Sequence, residues 1–420
     1  MLARWLYTLL LHLALPAVLL RLLWRARRQP AYLEHWSERF GCPPRYGKGP
    51  WIWLHAVSVG ETRGAQPLVE ALLQRYPDHS LLLTGMTPTG RETAAQVFGN
   101  RVTYTYLPYD YPWAVRRFLA VYRPRLGLLM ETELWPNLLT SCQAAKVPVM
   151  LVNARLSARS ARGYARLRAL FAPALQSLAG IAAQTEADAA RLQDLGGQNI
   201  QVCGNLKFDV APNPSAIALG QSWRHAIGPR PIWLAASTRE GEEELILDAL
   251  EQLPLPDLLL VLVPRHPQRF DAVAGLVQQR GLSLLRRSQG MPGPDIRVWL
   301  GDSMGEMAAY YTLGDLAVMG GSLLPFGGQN LIEAAACGCP VLVGPHTFNF
   351  AQAAADAVVS GAAQRLETAG ELVPALQELL DDKEKRRTMQ DAALHFATAH
   401  RGATARTLAL IETLIAPAVH

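Results

Sequence analysis

The chain has 420 residues, half of them hydrophobic and 18% charged, with 33 Gly and 29 Pro. This balance excludes a disordered, collagen-like or coiled-coil protein and leaves room for one to three domains with full cores. A net charge of +5 is too small to argue for nucleic acid, and no nucleic-acid partner is expected. The charge is nevertheless uneven. Residues 1–210 carry 24 basic and 13 acidic side chains, against 16 and 22 in residues 211–420. The first half therefore suits an anionic macromolecule or a membrane surface, or else presents a solvated basic face. Cys42, Cys142, Cys203, Cys337 and Cys339 are scattered, with no C-x-x-C pair and no His at metal-ligand spacing. No disulfide framework or structural zinc follows, and a reducing, cytoplasmic setting is expected for the catalytic part.

From Trp5 to Leu20 the chain is apolar apart from Thr8 and His12, and Arg21, Arg25, Arg27 and Arg28 follow. The run is shorter than the roughly 20 residues of a spanning helix and contains Pro16. With no small-residue cleavage site after it, residues 1–28 read as an uncleaved membrane anchor, spanning or lying in the interface, with Trp5 and Trp24 near the headgroups. The arginines would sit on the cytoplasmic side. A buried first helix of the domain is the alternative.

Beyond the anchor, short Val/Leu/Ile-rich runs alternate with longer amphipathic stretches, which predicts parallel sheets covered by helices. Strands are predicted at Trp51–Val57, Leu81–Met86, Val102–Leu107, Leu126–Met130, Val147–Asn153, Gly180–Gln184 and Ile200–Gly204. A linker is expected at 210–220, where Pro212 and Pro214 interrupt the pattern. The pattern resumes with strands at Ile232–Ala236, Leu258–Val263, Ile296–Leu300, Leu316–Met319 and Val341–Val343, and with helices such as Glu242–Leu253 and Asn330–Ala336. The expected fold is α/β, with Rossmann-like domains at 29–209 and 221–420. Ligands of open parallel sheets bind beyond the carboxyl ends of the strands, so the default active site is a cleft between the two domains.

The candidate site residues fall at those strand ends. In His55-Ala-Val-Ser-Val-Gly-Glu61 an apolar strand runs into Ser58 and Gly60. Glu61 is either a general base toward a hydroxyl or a first-turn helix cap. Glu131 and Glu133 stand two apart after Leu126–Met130 and, if still extended, point to opposite faces. Lys207 is one of five lysines among 40 basic residues, a compact ammonium where the chain otherwise prefers Arg. In the second half, Arg265-His266, Met304-Gly305-Glu306 and Asn330-Leu331-Ile332-Glu333 follow successive strands in the manner of phosphate- and ribose-binding helix starts. The sequence has no Walker A motif, G-x-G-x-x-G, HExxH or D-x-D. Metal-independent group transfer remains.

Nine ordered motifs, HAVSVGE, MTPTG, LPYD, METELWPN, NARLSARS, LKFD, PRHPQRF, GDSMGEM and GPHTFNF, cover nearly the whole chain. Together they closely resemble the 3-deoxy-D-manno-octulosonic acid (Kdo) transferases of lipopolysaccharide synthesis. The resemblance implies a GT-B glycosyltransferase at the cytoplasmic face of the inner membrane, moving Kdo from CMP-Kdo to a lipid A precursor with inversion and with no cofactor. It assigns Glu61 as general base, Glu131 (rather than Glu133) and Lys207 to transition-state stabilisation, and the second-half segments just named to CMP. The first domain would take the acceptor and the second the CMP-Kdo donor. Arg155, Arg159, Arg162 and Arg166, spaced by four, three and four, would line one helical face as contacts for the acceptor's phosphates or as a solvated surface. The rival readings are a nucleotide-sugar epimerase of the same fold, which needs no lipid anchor, and a membrane-tethered nucleotide-sugar sensor, which needs no Glu61, Glu131 and Lys207 together.

Overall fold

The computed structural model describes residues 2–44 and 49–415. The chain forms two compact units, residues 1–210 with 401–420, and residues 211–400.

The first unit is a seven-stranded parallel sheet: β1 (Trp51–His55), β2 (Ser80–Gly85), β3 (Thr103–Tyr106), β4 (Leu126–Met130), β5 (Val149–Ala154), β6 (Gly180–Ala183) and β7 (Ile200–Val202), in the order β3-β2-β1-β4-β5-β6-β7. Helices cover both faces, so β1, β4, β5 and β6 are buried along their whole length, which is why they read as unbroken apolar runs rather than alternating ones. The order reverses between β1 and β4. The loops after these two strands diverge there and leave a crevice at the sheet's carboxyl edge.

The second unit repeats the plan with β8 (Ile232–Thr238), β9 (Leu259–Pro264), β10 (Leu284–Arg286), β11 (Val298–Leu300), β12 (Leu316–Met319), β13 (Val341–Val343) and β14 (Ala363–Arg365), in the order β10-β11-β9-β8-β12-β13-β14. Its reversal lies between β8 and β12. The edge strands β10 and β14 were not anticipated. At three residues each, carrying Arg286 and Gln364-Arg365, they lack an apolar run.

Two boundaries differ from those expected. The 210–220 linker is in fact largely helix, Pro214–Ile227, with Asn213 accepting from the Ser215 N–H at 3.0 Å and Pro214 in the first turn, where its missing N–H costs nothing. Its buried face includes Gly220, which masked the apolar periodicity. A Cβ there would stand 2.4 Å from the Ala309 carbonyl oxygen, so the glycine lets this helix lie against Met307–Leu313. The tail also departs from the expected second domain. From Arg401 it rejoins the first unit, where helix Ala403–Glu412 packs on helix Gln66–Arg75 and Asp209 accepts from the Gly402 and Thr404 N–H groups at 2.7 and 2.6 Å.

The N-terminal segment forms helices Leu2–Leu13 and Leu15–Arg28, bent by 51°. Among the described residues no single helix is long and apolar enough to cross a membrane, although the bent pair together has the length and composition. One face of the first helix is docked. Tyr7 donates to Asp110 at 2.9 Å, Thr8 donates to Asn137 at 2.9 Å, and Tyr111 donates to the Leu11 carbonyl at 3.0 Å. The other face leaves Leu2, Trp5, Leu6, Leu9, Leu10 and Leu13 between 55% and 84% exposed. The segment is thus neither a free tether nor a buried core helix.

Candidate active site

β1 and β4 flank the reversal, and each delivers a carboxylate to it. After β1, Ser58 caps helix Val59–Gly64, and its hydroxyl accepts from the Glu61 N–H at 3.2 Å. Glu61 reaches back, accepting from the Val57 N–H at 2.9 Å and the Ser58 hydroxyl at 2.9 Å. The cap is reciprocal, as in a capping box, except that Glu61 takes the Val57 N–H and the Ser58 hydroxyl in place of the Ser58 N–H. Capping does not exclude base chemistry, since each carboxylate oxygen keeps a second lone pair. Burial, reinforced by the like charge of Glu131, raises the Glu61 carboxyl to about 7, against the two hydrogen bonds that pull it down. The group is therefore poised near neutrality, where a general base works best.

Glu131 follows β4 with φ +54, so the strand has ended and the opposite-face alternation of an extended chain does not apply to Glu131 and Glu133. The two are separated by their partners instead. The Lys207 ammonium lies 3.1 Å from one Glu131 oxygen and Arg155 lies 3.8 Å from the other. Glu133 accepts from the Trp135 indole at 2.6 Å, and burial raises its carboxyl above the usual range.

Lys207 sits in the turn Leu206–Asp209, which is fixed by the Asn153 side chain accepting from the Leu206 N–H at 3.0 Å and by the Asp209 contacts to the returning tail. Its aliphatic stem crosses the helix that carries Glu61. A Cβ on Gly64 would lie 3.2 Å from the Lys207 Cγ, so glycine makes room for the stem. Glu61, Glu131 and Lys207, far apart in sequence, converge on one crevice, with the lysine bridging the two carboxylate-bearing loops. His55 closes the floor. It is wholly buried, with Nδ1 2.9 Å from the Thr84 hydroxyl, and burial lowers it to about 4, so it is neutral. Arg155 and the exposed residues Arg159, Arg162 and Arg166 rim the same edge on and beside helix Ala158–Arg166, which has no buried residue.

In the second unit the predicted segments also gather at strand ends. Arg265 follows β9, and its Nε donates to Gln329 at 3.2 Å. His266 lies 3.2 Å from an Arg239 nitrogen, and burial with the cations Arg239, Arg265 and Arg269 holds it below its ordinary value. Glu306 precedes helix Met307–Leu313, pairs with Arg287 at 3.1 Å and accepts from Ser303. Met304 is exposed, and Gly305 adopts φ +83. Asn330 caps helix Leu331–Ala336 by accepting from the Ile332 N–H at 3.2 Å. The Leu331 and Ile332 side chains turn into the core, while Asn330 and Glu333 stay partly accessible.

The segment after β8 was missed. There Glu242, fully buried, accepts from the N–H groups of Arg239, Gly321, Leu323 and Leu324 at 2.6–3.3 Å, and Glu243 pairs with Arg269 at 3.0 Å. The signal was available: Thr238-Arg-Glu-Gly-Glu-Glu243 directly follows an apolar strand, but it reads as an ordinary acidic helix start. Among the described residues no group of three or more His, Cys, Asp or Glu is arranged to hold a metal.

Two seven-stranded parallel-sheet units, the first with paired carboxylates and a lysine at its reversal point and the second with cations and helix starts at its own, define a GT-B-type glycosyltransferase. Solved structures bear out that fold. A glycosyltransferase from Rickettsia africae matches with a TM-score of 0.61 at 13% identity, covering 88% of this chain and 99% of its own. A UDP-GlcNAc 2-epimerase from Neisseria meningitidis matches with a TM-score of 0.60 at 15% identity, covering 86% and 100%. At such identities they speak for the fold alone. Residues 34–210 match the family model described as 3-deoxy-D-manno-octulosonic-acid transferase (kdotransferase), and residues 242–396 match that of the glycosyl transferases group 1. The 3-deoxy-D-manno-octulosonic acid transferase of Bordetella pertussis is 46% identical over 97% of this chain and 99% of its own length. That of Haemophilus influenzae is 39% identical over 97% and 98%. The chain belongs to the Kdo transferase family and is a glycosyltransferase.

Proposed function

We propose that the enzyme transfers Kdo from CMP-Kdo to a hydroxyl of a lipid A precursor, with inversion, at the cytoplasmic face of the inner membrane. Glu61 carries this reading: it is a carboxylate at the sheet's reversal point, poised to accept a proton near neutral pH. In the proposed step the acceptor hydroxyl attacks the anomeric carbon of Kdo as its proton passes to Glu61. The bond from that carbon to the CMP phosphate oxygen breaks, and CMP departs with the electron pair. A single displacement inverts the centre. Lys207, held on Glu131, supplies positive charge to the transition state, and Glu131 fixes the ammonium in place. The CMP moiety is assigned to Arg265, His266, Met304–Glu306 and Asn330–Glu333, with Leu331 and Ile332 contributing through their backbone. The acceptor's phosphates are assigned to the arginine row at 155, 159, 162 and 166. Two observations favour the inner membrane surface: the docked N-terminal helix with its exposed leucines, and the excess of basic residues in the first half. The N-terminal segment thus acts as an anchor lying in the interface.

The test is mass spectrometry of the product after incubation with CMP-Kdo and a lipid A precursor, run in chelator and with added magnesium. One or more Kdo additions are expected, at equal rates in both arms, because Lys207 and the second unit's arginines and helix starts carry the charge that a metal would otherwise neutralise. An unmodified acceptor, or transfer only with magnesium, overturns the corresponding assignment.

A further inference from the structure

The docked N-terminal helix walls a groove of about 770 Å³, closed on its other sides by helices Pro112–Tyr122 and Pro136–Ala144. The lining is apolar on balance, and its cations are Arg4 and Arg116, with His12 at the helix end. No Asp or Glu lines it, and neither arginine has a partner among the described residues. A surface arginine pair facing a concave apolar wall with no counter-charge is an incomplete ion pair, and its complement is a ligand with an apolar body and an anionic head.

The walls are fixed. Thr8 of the N-terminal helix is bonded to Asn137, which is 2% exposed and in turn donates to the Asp110 carbonyl at 2.9 Å. Asp110 accepts from Tyr7 and from the Asn137 and Leu138 N–H groups, so one buried carboxylate ties the N-terminal helix to the start of helix Pro136–Ala144. Trp113 is held from behind by stacking on Tyr111, whose ring meets His12 edge-on at 5.2 Å. At its outer edge the groove runs into the exposed Trp5 and its neighbouring leucines, the surface that would sink into the headgroup region.

We propose that this groove holds one anionic glycerophospholipid of the bilayer, an acyl chain lying along the apolar wall and the phosphate between Arg4 and Arg116. This lipid is bound, not consumed. Its site is distinct from that proposed for the acceptor, since none of Glu61, Glu131, Lys207 or the arginine row at 155, 159, 162 and 166 lines the groove. The occupied groove completes the seam between the N-terminal helix and the first unit, so the bilayer supplies a structural ligand as well as a surface.

The full-length protein, released for native mass spectrometry from detergent micelles doped with phosphatidylglycerol or phosphatidylcholine, tests this. A single phosphatidylglycerol adduct is expected, with phosphatidylcholine binding at least tenfold weaker. Replacing both arginines (Arg4→Gln with Arg116→Gln) should weaken the phosphatidylglycerol adduct by roughly tenfold or more, as loss of charge-assisted hydrogen bonds does. Ala144→Trp, which fills the groove, should remove it. Arg21→Gln with Arg27→Gln, on the exposed basic helix outside the groove, should leave the adduct intact. Should Ala144→Trp not fold, the arginine pair decides alone. Adducts insensitive to the groove variants, equal binding of the two lipids, or displacement of phosphatidylglycerol by the lipid A precursor would each overturn the proposal. Because the assay reads binding and not transfer, its failure leaves the reading of the reaction standing.

Discussion

Replacing Glu61 with glutamine separates its two roles, capping and proton acceptance, because they predict opposite effects on stability. A carboxyl raised from 4.5 to about 7 is penalised in the folded state by about 3 kcal/mol once ionised, at about 1.4 kcal/mol per pH unit. The sign follows from linkage. The folded state binds the proton more tightly than the unfolded one, so this group's contribution is most favourable below pH 4.5 and declines as pH rises through about 7. Glutamine carries no charge to penalise. It keeps one acceptor for the Val57 N–H and loses part of the cap, a loss of about 1 kcal/mol. At pH 8 the variant should therefore melt no lower than the wild type and on this arithmetic a few degrees higher, with the difference closing toward pH 5.

Turnover should move the other way. Without a proton acceptor the attack on the anomeric carbon loses general-base help, about 10²- to 10⁴-fold, while CMP affinity, assigned to the second unit, stays near wild type. In the wild type kcat/KM should fall below about pH 7 with unit slope as Glu61 takes up its proton. Scanning calorimetry at pH 5 and 8, a CMP titration and a pH–rate series cover these readouts. If the variant melts well below wild type at pH 8, the carboxylate is a cap and little else. If it keeps more than about a tenth of the rate, above the general-base range, the base lies elsewhere and Glu133 is the next residue to test.

Lys207→Ala leaves the partly buried Glu131 without its nearest cation and adds uncompensated negative charge beside Glu61, so kcat should fall at least tenfold and the acid limb of the pH–rate profile should move to higher pH; Lys207→Arg should restore the limb better than the rate. Glu242→Gln offers one acceptor oxygen where four backbone N–H groups now bond, so the second unit should lose about 1–3 kcal/mol and CMP affinity should drop, read by calorimetry and titration. Tyr7→Phe removes one donor from buried Asp110, whose carboxyl burial raises to about 7, and should cost about 1 kcal/mol, seen as a melting shift of a few degrees. A variant that melts like the wild type would show that the N-terminal helix does not dock through this contact.

Sequence legibility followed burial. β4 and β5 are covered on both faces, so their residues had to be apolar without alternation, and such runs stand out; β10 and β14, three-residue edges carrying Arg286 and Arg365, could not. Glu131, directly after β4, and Glu61, in the first turn of the helix that follows β1, were visible because a carboxylate at the mouth of a buried sheet is costly unless it has partners or a task. Their partners were not visible. Nothing in the sequence says that Lys207 stands over Gly64, or that Asp209 holds the tail from Arg401, because both contacts join segments whose spacing obeys no period. The N-terminal segment shows the same limit in reverse. Its composition reads as an anchor, yet Thr8, which interrupts the apolar run, and the hydroxyl of Tyr7, whose ring belongs to it, are what tie it to Asn137 and Asp110. A polar side chain inside an apolar helix has to be satisfied somewhere, so the residues that weaken a membrane signal are the ones that point to the protein surface the helix packs on.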